Sequence, residues 1–174
     1  MGQDVTILGS PQLTLFVSTD EKDTDFMIAL HDIGPDGSTL FLQRDYLRAS
    51  MRHWDPARSF PDDRYFTFDV SEPLIPGKVY QIDFSIMPLG HVLRRGHSLE
   101  LMIMSPPSVA PPTFGGWSMT PVSSVGTNTV YHTKEYPSKL TVPTIPGLEA
   151  QEAEPECGSL DLQPCRHKSN ATQE

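Results

Sequence analysis

Four groups of residues in this 174-residue chain carry side chains that could do chemistry. The first is the string Gly96-His97-Ser98-Leu99-Glu100, which approaches the Gly-x-Ser-x-Gly elbow that exposes the nucleophile of an α/β-hydrolase between a strand and a helix. A glutamate stands where the last glycine is needed and the serine opens an alternating run, so the string reads as coincidence, and the full Gly-x-Ser-x-Gly pattern is absent from the sequence. The second is Asp20, Glu21, Asp23 and Asp25, four carboxylates within six residues and the hard oxygen donors that Ca²⁺ takes. Lys22 interrupts them and no loop glycine follows at the calcium spacing, so local turns made by aspartate side chains explain them better. The third is His91, Arg94, Arg95 and His97, a charged edge for an anion or an acidic partner domain, or else a solvated connection whose histidines bond backbone. The fourth is aromatic: Phe114 and Trp117, with Trp54, are suited to stack on a sugar or on another domain, or to cap the open end of a sandwich.

The elements that must position these groups are strands. Tyr80, Ile82, Phe84 and Ile86 alternate with Gln81, Asp83 and Ser85, and Leu99, Leu101 and Ile103 alternate with Ser98, Glu100 and Met102, the period of two of strands with one buried face. Pro88 and Gly90 end the first run and Gly96 punctuates the approach to the second, so residues 88–97 read as a connection, longer than a hairpin turn and able to cross between sheets. Upstream, residues 4–8 form a short strand, Leu13, Leu15 and Val17 the buried face of a second, and Phe26, Ile28 and Leu30 that of a third. Pro35-Asp36-Gly37 is a strong turn signal and predicts a hairpin returning through residues 38–43. Residues 45–52 fit either a strand or a helical turn. Residues 53–63 read as loop, 65–70 as a strand, and 127–132 and 138–142 as the last two strands. The stretch between residues 105 and 126 is too rich in Pro, Gly and Ser for regular structure. Nine or ten short strands at 8–12 residue spacing, without a long helix, predict an all-β antiparallel sandwich or jelly roll.

Composition narrows the function classes. The length suits one domain, and eight of the 17 prolines fall between Pro106 and Pro146, which argues against helices there and for extended segments and ordered loops. The formal charge is −9; residues 147–174 hold six acids against Arg166 and Lys168, a share of −4, which leaves −5 on the remainder. A mildly acidic surface with no basic stripe is a poor partner for nucleic acid. Beyond Gly147 the composition turns acidic and featureless, so residues 148–174 read as a disordered tail. Cys157 and Cys165 both fall in it, and no disulfide framework holds the core. A bridge across the seven residues between them is geometrically feasible, and with His167 they make a weak metal candidate. Gly2, Gln3 and Asp4 after Met1 give no signal-peptide pattern, no apolar run approaches the ~18 residues of a membrane span, and nothing calls for a cofactor.

Three longer strings carry a family likeness. STDEKDTDFMIALHDIGPDGS, then PGKVYQIDFSIMPLGHVLRRGHSLEL, then NTVYHTKEYPSKLTVPTIPG resemble in order and spacing the C-terminal domain of X-Pro dipeptidyl-peptidases and of the CocE/NonD hydrolases that include cocaine esterase. The likeness covers residues 4–147. It implies a jelly-roll β-sandwich similar to galactose-binding domains, packed against an α/β-hydrolase domain that holds the Ser-Asp-His triad and the peptidase or esterase activity. The domain itself is not catalytic in that family, so no catalytic, cofactor or metal residue carries over. The role implied is to cover the cleft, shape the substrate pocket and help subunits associate as a homo-oligomer, with His91, Arg94, Arg95, Phe114 and Trp117 as candidate interdomain or ligand contacts. Two departures stand out. The stretch after Met104 lacks the asparagine- and arginine-rich loop of many members, and the family domain has a further segment and a hydrolase domain before Asp4, so the chain reads as a fragment or a split gene product. A free-standing glycan- or protein-binding sandwich is the alternative of a different class.

Overall fold

The computed structural model describes residues 1–61, 63–105, 125–148, 150, 152–161 and 163–167. Among them the chain forms β1 (Val5–Gly9), β2 (Gln12–Thr19), β3 (Asp25–Ile33), β4 (Thr39–Arg48), a 3₁₀ turn (Ala49–Met51), β5 (Tyr80–Ser85), β6 (Leu89–Leu93), β7 (Ser98–Met104), β8 (Asn128–Tyr131), β9 (Lys139–Thr141), β10 (Thr144–Ile145) and β11 (Cys165–Arg166). Every pairing is antiparallel. One sheet runs β5-β2-β8, with β9 also on β2; a second runs β11-β4-β3-β7; a third, smaller sheet runs β10-β1-β6. The first two enclose one apolar core and make the predicted all-β sandwich: Leu13, Leu15 and Val17 of β2 with Ile82 and Phe84 of β5 join Phe26, Ile28 and Leu30 of β3 and Leu42 and Leu47 of β4.

The alternation read from the sequence is the alternation of burial. Ile82, Phe84 and Ile86 are at most 1% exposed, which places the inward face of β5 as expected. Each such side chain contributes about 1.5–3 kcal/mol by leaving water. Leu99, Leu101 and Ile103 point to the same core but are only partly buried, because β7 is an edge strand with β3 on one side. The Pro35-Asp36-Gly37 turn closes the β3–β4 hairpin, with Gly37 at a φ of 82° and the Ser38 amide donating to Asp36 Oδ1 at 2.9 Å. Past Leu30 the hairpin carries a bulge: Leu30 pairs with Gln43 and His31 with Phe41, so Leu42 is the extra residue. The strand-or-turn ambiguity over residues 45–52 resolves as both, β4 to Arg48 and then the 3₁₀ turn.

Two expectations need correction. Residues 88–97 are not only a connection, since β6 lies within them and pairs with β1 from Val5↔Leu93 to Gly9↔Leu89. Glycine permits extended backbone as readily as a turn, so Gly90 does not stop a strand, and the inward Leu93, fully buried, anchors it. The segment does cross between sheets, from that of β5 to that of β7, by way of the third. Residues 65–70 form no strand; only Phe66 bridges Trp54, and Phe68 has a φ of 54°. Local bonds compete with a ladder there: the Tyr65 amide donates to Ser59 Oγ at 2.9 Å and the Asp55 amide to the Tyr65 carbonyl at 2.9 Å.

Composition reads the residues after Gly147 as disordered; the described ones return to the sandwich. The Thr6 hydroxyl donates to the Leu148 carbonyl at 2.6 Å, Arg94 donates to the Glu152 carbonyl, and the Phe41 amide donates to the Pro164 carbonyl at 3.0 Å. β11 then pairs Cys165 with Leu40 and Arg166 with Thr39, and a disulfide joins Cys165 to Cys157.

Candidate functional site

Three titratable side chains, His91, His97 and Glu154, gather around Asp32, next to the last residue of β3. Its parity puts it on the inward face that Phe26, Ile28 and Leu30 occupy, and it is only 3% exposed. A carboxylate buried among apolar neighbours is costly unless donors meet it. Two imidazoles do. His91, held on β6 opposite Ile7, places Nε2 2.8 Å from Asp32 Oδ2. His97 places Nδ1 2.8 Å from Oδ1, positioned by the turn in which its amide donates to the Arg94 carbonyl and Gly96 takes a φ of 89°. Asp32 thereby joins the β1–β6 sheet to the β3–β4–β7 sheet. On the far side of the His97 ring, Nε2 lies 3.5 Å from Glu154 Oε2.

An ionised carboxylate only accepts hydrogen bonds, so each ring gives its N–H to Asp32. The partners of both rings are carboxylates and not a hydroxyl or thiol, so what the cluster offers is charge and hydrogen bonding, with no activated nucleophile. Beside it lies a cavity of about 470 Å³, within the size range of small-molecule sites. Ile7, Val92 and Leu40 give it apolar walls, Asp32, His91 and His97 stand on one side, and Leu148, Glu154, Leu160 and the Cys157–Cys165 bridge close it from the returning segment.

The residues singled out from sequence separate. His91 and His97 meet on Asp32; Arg94 turns away, 3.8 Å from Asp4 Oδ2 and bonded to the Glu152 carbonyl; Arg95 is exposed, its amide donating to Asp4 at 2.8 Å. Phe114 and Trp117 lie outside the described residues. Ser98 opens β7 on the exposed side, and its neighbour's ring is already engaged by Asp32. The Asp20–Asp25 carboxylates tie loops together: Asp23 accepts from the Ser50 amide at 2.9 Å and hydroxyl at 2.7 Å, Asp25 pairs with Arg48 at 2.8 Å, and Asp20 accepts from the Thr127 amide at 2.7 Å. Cys157 and Cys165 are bonded to each other and so give no thiolate to a metal. Asp45 on β4 is a separate, half-buried acid, its carboxyl pushed up to about 6 by partial burial and only partly relieved by the Tyr46 amide.

Sequence reasoning passed over two features. Asp32 and Glu154 were not singled out, although a carboxylate at an inward position of a strand was a readable signal. The other is the arm between the 3₁₀ turn and β5. Arg52 clips its base by donating to the Ala49 and Glu72 carbonyls, at 3.0 and 2.6 Å. Guanidinium groups order it from within, Arg64 over Trp54 at 4.1 Å and Arg58 over Tyr65 at 3.6 Å. The arm leaves Phe60 68%, Phe68 62% and Ile75 60% exposed.

Comparison with known proteins agrees with this architecture. A family described as the X-Pro dipeptidyl-peptidase C-terminal non-catalytic domain matches residues 1–141. A Mycobacterium bovis protein whose name proposes a serine esterase is 24% identical over 143 residues, 80% of this chain and 22% of that protein, and a Mycobacterium tuberculosis protein gives the same values. The chain therefore spans less than a quarter of the length of these relatives. The crystal structure of a CocE/NonD family hydrolase from Staphylococcus aureus superposes with a TM-score of 0.74 at 19% identity, over 83% of this chain and 29% of that one. An α-amino acid ester hydrolase superposes with a TM-score of 0.63 at 18% identity, over 83% and 24%. At these identities the two structures share the fold.

Proposed function

Because the chain belongs to the X-Pro dipeptidyl-peptidase C-terminal non-catalytic domain family, we propose that it is the accessory β-sandwich of a serine hydrolase, covering and shaping the cleft of an α/β-hydrolase domain supplied upstream or by a separate chain. The observation that carries this reading is the family match across most of the sandwich. Two features of the molecule support it. The Asp32 cluster engages both of its imidazoles with carboxylates, and the ordered arm presents Phe60, Phe68 and Ile75 to a partner. The accessory unit is residues 4–147, with the returning segment adding β11 to the edge of its second sheet. His91 and Arg94 already have partners within the chain, so of the charged edge it is Arg95 that reaches the hydrolase domain, with Phe114 and Trp117 contributing from the stretch after β7.

Such a domain acts without a catalytic group of its own. Closing a cleft excludes water and strengthens every electrostatic interaction inside it, and fixing the substrate's orientation lowers the barrier further. The test combines the hydrolase domain with and without this chain, reads turnover of X-Pro-aminoacyl and ester reporters, and scores fluorophosphonate labelling on each polypeptide. The expected result is label on the hydrolase domain alone and activity that rises when this chain is added. Label on this chain, abolished by Ser98→Ala, would overturn the assignment. Monomeric behaviour at high concentration with no effect on the hydrolase would favour the free-standing binding module.

A further inference from the structure

The bridge between Cys157 and Cys165 stands apart from what holds the sandwich together. Among the described residues the apolar core draws on none beyond Leu140, so the two sheets close without the returning segment. Both cysteines are half-buried with exposed neighbours, within reach of a reductant. The two ends of the bridge sit in different places. Cys165 lies on β11, pairing with Leu40 while Arg166 pairs with Thr39 and the Phe41 amide donates to the Pro164 carbonyl at 3.0 Å. Cys157 lies with Glu154 and Leu160 among the residues that close the cavity beside Asp32. The segment's other ties are thin. Thr6 and Arg94 hold only the Leu148 and Glu152 carbonyls, the Glu154 side chain is 50% exposed at 3.5 Å from His97, and Leu148 and Leu160 stay 47% and 40% exposed. A half-exposed ion pair and so little apolar burial contribute weakly, which leaves the covalent bond as the strongest tie.

We propose that the returning segment is a redox-sensitive cover over the Asp32 cavity, latched by the Cys157–Cys165 bridge and opened by a dithiol reductant. One thiolate of the reductant attacks a sulfur of the bridge and displaces the other cysteine; its second thiol then attacks its own sulfur in the mixed disulfide and releases the first cysteine. The reductant leaves as a cyclic disulfide, two electrons pass to the bridge, and each cysteine sulfur takes up one proton. Once the loop across this separation of 8 residues is no longer closed, the open ensemble gains the chain entropy that the bond denied it, and the remaining polar contacts compete with water. Opening uncovers Ile7, Leu40 and Val92 together with the His97 ring, and it strips the end of the β4 edge of its partner β11. The Asp32 joint persists, because both of its imidazoles come from the sandwich itself.

The experiment compares the full 174-residue chain, oxidised, with the same chain in dithiothreitol. Amide hydrogen exchange is followed residue by residue, and acylation of His97 by diethyl pyrocarbonate is located by mass spectrometry. In the oxidised chain the Phe41 amide is protected by its bond to Pro164, and the His97 side chain, 7% exposed, by the cover. Reduction should speed Phe41 exchange and His97 acylation at least about tenfold each, while the amides of the β2–β5 ladder keep their rates. Cys157→Ser with Cys165→Ser should show the open rates without reductant and no response to dithiothreitol. Glu154→Gln in the oxidised chain should keep the closed rate at Phe41, since the bridge remains. The inference is overturned if reduction leaves either the Phe41 or the His97 rate unchanged, because the other contacts then hold the cover by themselves. It is equally overturned if the β2–β5 amides accelerate alongside, which would make the bridge a staple of the whole fold, or if Glu154→Gln opens the oxidised cover as far as reduction does.

Discussion

Asp32→Ala tests the polar joint between the two sheets most directly. The wild-type carboxylate is 3% exposed and accepts from two imidazoles at 2.8 Å each. A hydrogen bond to a charged group contributes about 1.5–3 kcal/mol, so loss of both removes about 3–6 kcal/mol before relaxation. The two donors fare differently afterwards. The His91 side chain is 16% exposed and regains water at the cavity rim, whereas the His97 side chain, 7% exposed, is left with only the distant Glu154. The cost should therefore sit near the lower bound, about 3–4 kcal/mol, a large share of the ~5–15 kcal/mol that holds an ordinary domain. Asp32→Asn keeps one carbonyl acceptor and turns the other position into a donor, which His91 can meet by exchanging its ring tautomer, so about 1–2 kcal/mol is expected. Urea unfolding followed by fluorescence gives both values from the midpoint at constant slope. A cost below ~1 kcal/mol for Asp32→Ala would refute the argument that the joint is held by these bonds. So would equal costs for alanine and asparagine.

Three further outcomes follow from named contacts. Ile82→Asp, at a fully buried position, should unfold the domain, while Asp83→Ala should lose the bonds from Thr14 at 2.8 Å and Gln81 at 3.1 Å and a long ion pair to Arg64 at 3.9 Å, about 1–2 kcal/mol; equal damage would put the β5 register off by one. Asp45, pushed up to about 6 in the fold against about 3.9 unfolded, binds its proton more tightly when folded. Its contribution is thus present below pH ~4 and lost as pH rises through ~6, so Asp45→Asn should stabilise the domain at pH 7 by at most about 3 kcal/mol and flatten the pH slope; an unchanged slope in urea titrations would refute the burial argument. Phe60→Ser with Phe68→Ser should change stability by less than ~0.5 kcal/mol yet weaken association with the hydrolase domain in a pull-down, and undiminished capture would remove the arm from the interface.

What the sequence made legible follows the range of the forces involved. Alternation over six or seven residues is local, so the inward faces of β2, β3 and β5 and the turn at Pro35–Gly37 could be read directly. Residues 65–70 alternate just as well, and the reading failed there because Ser59 and Asp55 capture the backbone locally, a competition that periodicity does not register. β6 was hidden for the opposite reason: its partner residues on β1 lie 80 to 88 positions upstream, and a short strand that follows a proline and contains a glycine has too little local pattern to declare itself.

The site obeys the same logic with one instructive difference. Asp32 is separated by 59 residues from His91 and by 65 from His97, and no spacing rule relates positions so far apart. The parity of β3 nevertheless carries a warning that periodicity alone can deliver. Once Phe26, Ile28 and Leu30 are assigned inward, Asp32 must follow them, and an inward carboxylate demands at least one buried donor from elsewhere in the chain. The pool of candidates is small, because an arginine or lysine on that face would also need its charge buried, whereas a neutral imidazole gives an N–H at lower desolvation cost. Of the six histidines, His91 and His97 flank a connection that passes between sheets, from β6 to β7, and from there reach the end of β3. The demand for a donor was therefore readable from β3 itself. Its fulfilment depended on a crossing strand that only the assembled sheets reveal, and the cavity, which needs the segment after Gly147 as its cover, depended on both.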